Sequence, residues 1–76
     1  MEKIVEILKG IKPTENFDEN TRIVDNKLLT SFEMYKLVNE LNNEFDIEIS
    51  PLDIIPQNFN TLAAIQALVE RHRDED

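Results

Sequence analysis

The chain has no cysteine, no tryptophan, one glycine and one tyrosine in 76 residues. Without cysteine, neither a disulfide nor a thiolate zinc site holds it together. His72 is the single histidine. With no second histidine or cysteine near it, it reads as a cation at a helix end rather than as a ligand or a base. Positive charge is also scarce: eight Lys and Arg stand against sixteen Asp and Glu, a net charge of −8. Such a chain offers nucleic acid no basic patch and is repelled by anionic membranes. Apolar runs are a few residues long, far short of the roughly 20 that a spanning helix needs. The opening MEKIVEILKGIK carries acids at helical spacing, unlike a signal peptide. Few aromatics and short β-branched runs argue against a sheet. A soluble, cytoplasmic, monomeric protein is expected, with no internal repeat or low-complexity segment.

What is present fits one small all-α domain over 1–76, its residues 73–76 an acidic frayed tail. The first helix is expected from Glu2 to about Lys9, with Ile4, Val5, Ile7, Leu8 and Ile11 as its apolar stripe and Gly10 and Pro13 ending it. A long connection follows, to about Leu29, anchored by Phe17, Ile23 and Val24. Its Asn16, Asp18 and Asn20 have the first spacings of an EF-hand loop. However, Thr21 and Lys27 stand where glycine and glutamate are required, so a solvated loop is the better reading.

The second helix is expected from Ser31 to Glu44. Tyr35, Val38, Leu41 and Phe45 share its inner face, with Leu37 beside them. Glu33, Lys36, Glu40 and Glu44 lie on the other, where Lys36 can pair with Glu33 or Glu40. SPLD then reads as a capped, very short third helix: Ser50 the N-cap, Pro51 at the first position, Asp53 closing a capping box and Pro56 stopping it. A last helix begins near Asn60 or Thr61, buries Leu62, Ile65, Leu68 and Val69, and frays into RHRDED. The expected core is Ile4, Leu8, Tyr35, Val38, Leu41, Phe45, Leu62, Ile65 and Leu68.

The start of the second helix holds more polar residues than it needs. Thr30 and Glu33 form a capping box, with Leu29 and Met34 a hydrophobic staple around it. The chain has two serines. Ser50 is accounted for as a cap, which leaves Ser31 with a spare hydroxyl on the first turn of a helix. There the unsatisfied N–H groups and the dipole favour an attached phosphodiester by about 0.3–1 kcal/mol.

The order of helices and the loop lengths resemble the acyl carrier protein family. LLTSFEMYKLVNELNNEFDIEIS is similar to that family's attachment helix, which opens on Asp-Ser-Leu or Asp-Ser-Phe, and NFNTLAAIQALV resembles its last helix. The likeness covers Ile23 to Val69, and the first helix fits by pattern. SF and FDIEI look closest to D-alanyl carrier proteins and related free-standing carriers, and less like the carrier of fatty acid synthesis. The resemblance implies an acyl-carrier-protein-like four-helix bundle with a long loop after helix 1 and a very short helix 3. It implies that Ser31 receives 4′-phosphopantetheine from coenzyme A through a phosphopantetheinyl transferase. The arm's thiol would hold an acyl or aminoacyl thioester, loaded by an activating ligase and passed to a downstream acyltransferase or synthase. Basic surfaces on those enzymes would meet Thr30, Phe32, Glu33, Met34, Glu40 and Glu44. The chain itself would catalyse nothing, having no nucleophile–base pair and no metal constellation.

Two departures stand out. Thr30 occupies the place of the family's aspartate, and Lys27 or Leu28 stands where a glycine is common. The threonine keeps the cap but loses a negative charge. It is the feature that favours an alternative, an unmodified interaction module that retains the carrier fold.

Overall fold

The computed structural model describes residues 2–74, a bundle of 34 × 22 × 22 Å. Its helices are α1 (Glu2–Ile11), α2 (Ser31–Phe45), α3 (Pro56–Phe59) and α4 (Leu62–Asp74), with a 3₁₀ turn at Pro51–Asp53 before α3. α1 lies chiefly along α2 and touches α4, while α3 folds back onto α4. No helix among the described residues is long and apolar enough to cross a membrane. The architecture is the expected one: all-α, with a long connection after the first helix and a short third helix.

The core is built where the apolar periodicities converge. Ile4 and Leu8 of α1 meet Leu37, Val38 and Leu41 of α2 and Leu62, Ile65, Leu68 and Val69 of α4. Phe59 of α3 closes it. The long connection contributes Phe17 and Ile23, both buried, so it is pinned across the bundle. After α2, Asp46 takes a left-handed C-cap (φ 53°) and Ile47 and Ile49 turn inward with Glu48 outside. Asn42 Oδ1 accepts from the Ile49 N–H at 2.9 Å and fixes that exit.

Several expectations are corrected. α1 does not stop at Gly10. It runs on to Ile11, and the Lys12 N–H donates to the Leu8 carbonyl at 2.8 Å. Packing of the half-buried Ile11 against the core outweighs the helix-breaking tendency of glycine. Nothing lies within 4 Å of a Cβ placed on Gly10, and its φ is an ordinary negative one. Gly10→Ala should therefore raise stability by about 0.5–1 kcal/mol, read as a higher urea midpoint at unchanged m.

Tyr35 is not core; it is 63% exposed. The seam of α2 is Met34, Leu37, Val38 and Leu41, with Phe45 half-buried at its end. That seam and the one expected through Tyr35 differ by one residue of rotation. The wholly apolar Met34 and Leu37 win the inner positions over a side chain with a polar tip.

The segment after α2 also differs. Ser50 caps the 3₁₀ turn through the Leu52 N–H (3.2 Å), but Asp53 does not close a capping box. Its Oδ2 lies 3.0 Å from His72 Nε2. Pro56 opens α3 at its first position rather than only ending the turn before it. α4 begins at Leu62, with Thr61 as its cap: Thr61 Oγ1 accepts from the Ala64 N–H at 3.1 Å. It does not fray at Arg71. The His72–Asp53 contact and the Arg71–Asn58 hydrogen bond (3.4 Å) hold its last turn to the α3 region. Of the expected tail at 73–76, Arg73 and Asp74 belong to α4, and residues 75–76 lie outside the described residues.

Candidate functional site

Ser31 is the first residue of α2, and everything needed to start that helix comes from its neighbours. Thr30 is the N-cap, in extended conformation (φ −73°, ψ 169°), and its Oγ1 accepts from the Glu33 N–H at 3.1 Å. Glu33 Oε1 returns the bond by accepting from the Thr30 N–H at 2.9 Å, closing the capping box. Ser31 is exposed, and its hydroxyl has no hydrogen-bond partner among the described residues.

A second layer holds the cap. Lys12, just past the end of α1, donates from Nζ to both Glu33 oxygens, at 3.1 and 3.2 Å. Beyond its place in the capping box, Glu33 is expected on the outer face, where Lys36 can pair with it or with Glu40. Its side chain is instead 19% exposed and bonded to Lys12. A helix cap made by one short segment is thus tied to the opposite end of the connection, 21 residues earlier. The Thr30 N–H, and after it the Lys12 ammonium, hold the Glu33 carboxyl below its ordinary value of 4.5. A carboxyl lowered in the folded state adds stability above its unfolded pKa and loses it as pH falls through the folded value. Acidification below about pH 4.5 should thus destabilise the parent more than Glu33→Gln, which keeps an acceptor for Thr30 but no charge. Urea unfolding of both at neutral and acid pH measures the difference, and parallel pH profiles would refute it.

The turn upstream of Ser31 is built on Asn60, which the sequence marks only as a possible start of the last helix. Asn60 Oδ1 accepts from the Val24 and Asp25 N–H groups, both at 3.0 Å, and its Nδ2 donates to Asp25 Oδ2 at 3.1 Å. The Asn60 carbonyl accepts from the Ile23 N–H at 2.7 Å. The chain then reverses through Lys27, whose φ of 53° lies in the left-handed region. Lys27 thus stands where glycine would be least strained. In the connection itself, Asp18 Oδ1 is taken up locally by the Asn20 N–H (2.8 Å) and the Thr21 hydroxyl (3.1 Å).

Beside Ser31 lies a shallow cleft of about 240 Å³, lined by Leu29, Thr30, Ser31, Met34, Tyr35 and Ile54. It shares Met34 and Ile54 with a second hollow of about 170 Å³ that extends over Val24, Ile55, Pro56 and Phe59. The two form one uncharged track from the Ser31 hydroxyl toward α3. A larger groove of about 410 Å³ between α1 and α2 contains Glu6, Lys36 and Glu40 but no hydroxyl nucleophile. Volume alone therefore does not pick the site; the chemistry at Ser31 does.

The other candidate residues divide. Phe32 is 80% exposed next to Ser31, and Met34 is half-buried at the cleft floor. Glu40 is exposed and unpaired among the described residues, while Glu44 is bridged by Lys3 at 3.0 Å. Tyr35 and Ile55 are exposed apolar groups that line the two hollows, and Leu52 is exposed on the 3₁₀ turn; the exposure of none of the three was expected.

No family model matches the chain, and no solved structure matches it significantly. Curated proteins do. The D-alanyl carrier protein of Lactococcus lactis subsp. lactis (strain IL1403) is 29% identical over 77 aligned positions, covering 99% of this chain and 98% of the relative. The D-alanyl carrier proteins of Lactococcus lactis subsp. cremoris strains MG1363 and SK11 are each 30% identical with the same coverage. With a helical order of the carrier type and similarity along almost the whole of both chains, this chain belongs to the acyl carrier protein family, similar to its D-alanyl carrier proteins, and carriers of this kind do not catalyse.

Proposed function

We propose that the chain carries an acyl or aminoacyl group as a thioester on a 4′-phosphopantetheine arm joined to Ser31, and delivers it between partner enzymes. The observation that carries this reading is the unpartnered, exposed hydroxyl of Ser31 at the head of α2, with Thr30 and Glu33 doing all of the capping. The residues present fit the group. The hydroxyl is open to a transferase, the first turn of α2 tolerates a phosphodiester, and an uncharged cleft runs from the attachment point. In the attachment, Ser31 Oγ bonds to the phosphorus of coenzyme A that bears the pantetheine, the nucleotide half leaves, and the hydroxyl proton passes to the transferase. The arm, when bound, supplies a thiol that keeps an acyl carbon activated. The protein contributes a fixed point of attachment and a short tether, which raises the local concentration of the cargo at partner sites.

D-alanine, the cargo named by the relatives, is the first candidate within that class. The transferase, an activating ligase and a downstream acyltransferase or synthase would meet Phe32 and Met34 beside the arm, with Glu40 offering the one uncommitted carboxylate on the outer face of α2. Contacts of this kind are steered by charge and weaken with salt.

The alternative, an unmodified interaction module of the same fold, is favoured by Thr30 in the place of aspartate. Intact mass after co-expression with a broad-specificity phosphopantetheinyl transferase separates the two. A gain equal to the arm supports the carrier. No gain, with the transferase active on a control carrier, supports the module unless Thr30→Asp restores it.

A further inference from the structure

Gly10 is the one glycine of the chain, and its backbone does not ask for one. It sits inside α1 at an ordinary negative φ, and a Cβ placed on it meets nothing within 4 Å. Alanine there would favour the helix. What glycine provides is depth: it lines the groove of about 410 Å³ between α1 and α2, and a side chain would take up part of that space. The groove has an apolar floor, with Ile7 and Ile11 half-buried beside the exposed Gly10. Its rim is charged. The Lys3–Glu44 ion pair (3.0 Å) closes one end, which leaves Glu6 on the α1 side and Lys36 and Glu40 on the α2 side. Neither Glu6 nor Glu40 has a cation within 4.0 Å among the described residues. Lys36, Glu40 and Glu44 project about half a turn around α2 from Ser31, so an occupant of the groove leaves Ser31 open. From Lys3 to Ile11 the groove follows about two turns of helix. That length, and an apolar floor with two uncommitted carboxylates on its rims, suit one face of an amphipathic helix. Its aliphatic side chains would lie on Ile7 and Ile11, and its arginines would reach Glu6 and Glu40. Gly10 lets its backbone come close.

We propose that the α1–α2 groove docks a basic amphipathic helix of a partner protein, with Gly10 giving the groove its depth. A partner held there keeps the chain close while the opposite side of α2 meets other enzymes, so the two contacts do not compete. The inference does not depend on modification of Ser31.

The probe is a capped helical peptide with two arginines one turn apart beside a leucine stripe. Its control has glutamate in place of both arginines. Added to the isotope-labelled full chain, the probe should shift the amide signals of Glu6, Ile7, Gly10 and Glu40 and leave those of Ser31 and Tyr35, and the control should shift none. Gly10→Leu should weaken binding about ten-fold by filling the floor. It should do so with no loss of Tm, since a side chain there has open space and leucine suits a helix. Glu40→Gln should weaken binding several-fold. Ser31→Ala should bind as the parent does, so failure of the carrier reading leaves this one standing. Equal affinity in Gly10→Leu and parent, or shifts spread evenly over the acidic surface, would overturn the proposal. So would concentration-dependent shifts at Gly10 with no peptide present, which would assign the groove to a second copy of the chain.

Discussion

Ser31→Ala keeps the helical circular dichroism and the unfolding midpoint of the parent, and gains no mass from an active phosphopantetheinyl transferase. The first half of that result follows from the cap. The four groups that open α2 are Thr30 N–H and Oγ1 and Glu33 N–H and carboxylate, and removing the Ser31 hydroxyl leaves each with its partner. Alanine is also a better helix former than serine by a few tenths of a kcal/mol, about 0.5 at most, so the midpoint should hold or rise slightly. The second half is all-or-none, because the hydroxyl is the atom that would bond to phosphorus. Thr30→Ala gives the opposite pattern. It loses the cap, at a cost of about 1 kcal/mol, yet keeps the acceptor hydroxyl. A mass gain in Ser31→Ala would move the attachment to another side chain.

Asn60→Ala should be the most damaging single polar substitution, lowering stability by about 2 kcal/mol. One amide accepts from two successive N–H groups, Val24 and Asp25, and donates to the Asp25 carboxylate. The Val24 N–H is partly buried, so its loss of a partner is not made good by solvent. The Asp25 N–H is exposed and recovers a water, which keeps the total below two full penalties. In a domain of this size about 2 kcal/mol corresponds to a fall of roughly 8–16 °C in Tm. Asn60→Asp should fall between the two, since it keeps the acceptor but sets a carboxylate against Asp25. Thermal unfolding followed at 222 nm decides it, and a Tm equal to the parent's would show that water replaces the amide.

The letters give away what is local. Thr30 and Glu33 are three apart, Thr61 precedes a run of apolar residues at helical spacing, and Phe17 and Ile23 are too apolar to leave in solvent; each did in the fold what its neighbours implied. The residues around Ser31 that were misread depend on partners far along the chain or on a small rotation. Glu33 looked like a solvent-facing acid because Lys12 is 21 positions away. Asn60 looked like no more than a possible start of the last helix because its partners lie 35 and 36 positions back. Tyr35 was placed inside because 35, 38, 41, 45 is as regular as 34, 38, 41, 45, and only the finished bundle chooses. Gly10 is the converse: a strong local stop signal, overruled by the burial of the residue after it.

Phe59, Asn60 and Thr61 are three consecutive residues with three unrelated duties: one fills the core, one holds the turn before Ser31, one starts α4. An extra residue among them would put all three out of phase together, and no local rearrangement repairs more than one. Pro13 and Thr14, exposed in the first turn of the long connection, carry no such burden. Changes of chain length in descendants of this sequence should therefore gather near Pro13 and spare the stretch from Phe59 to Thr61, which behaves as a fixed ruler between the core and the head of α2.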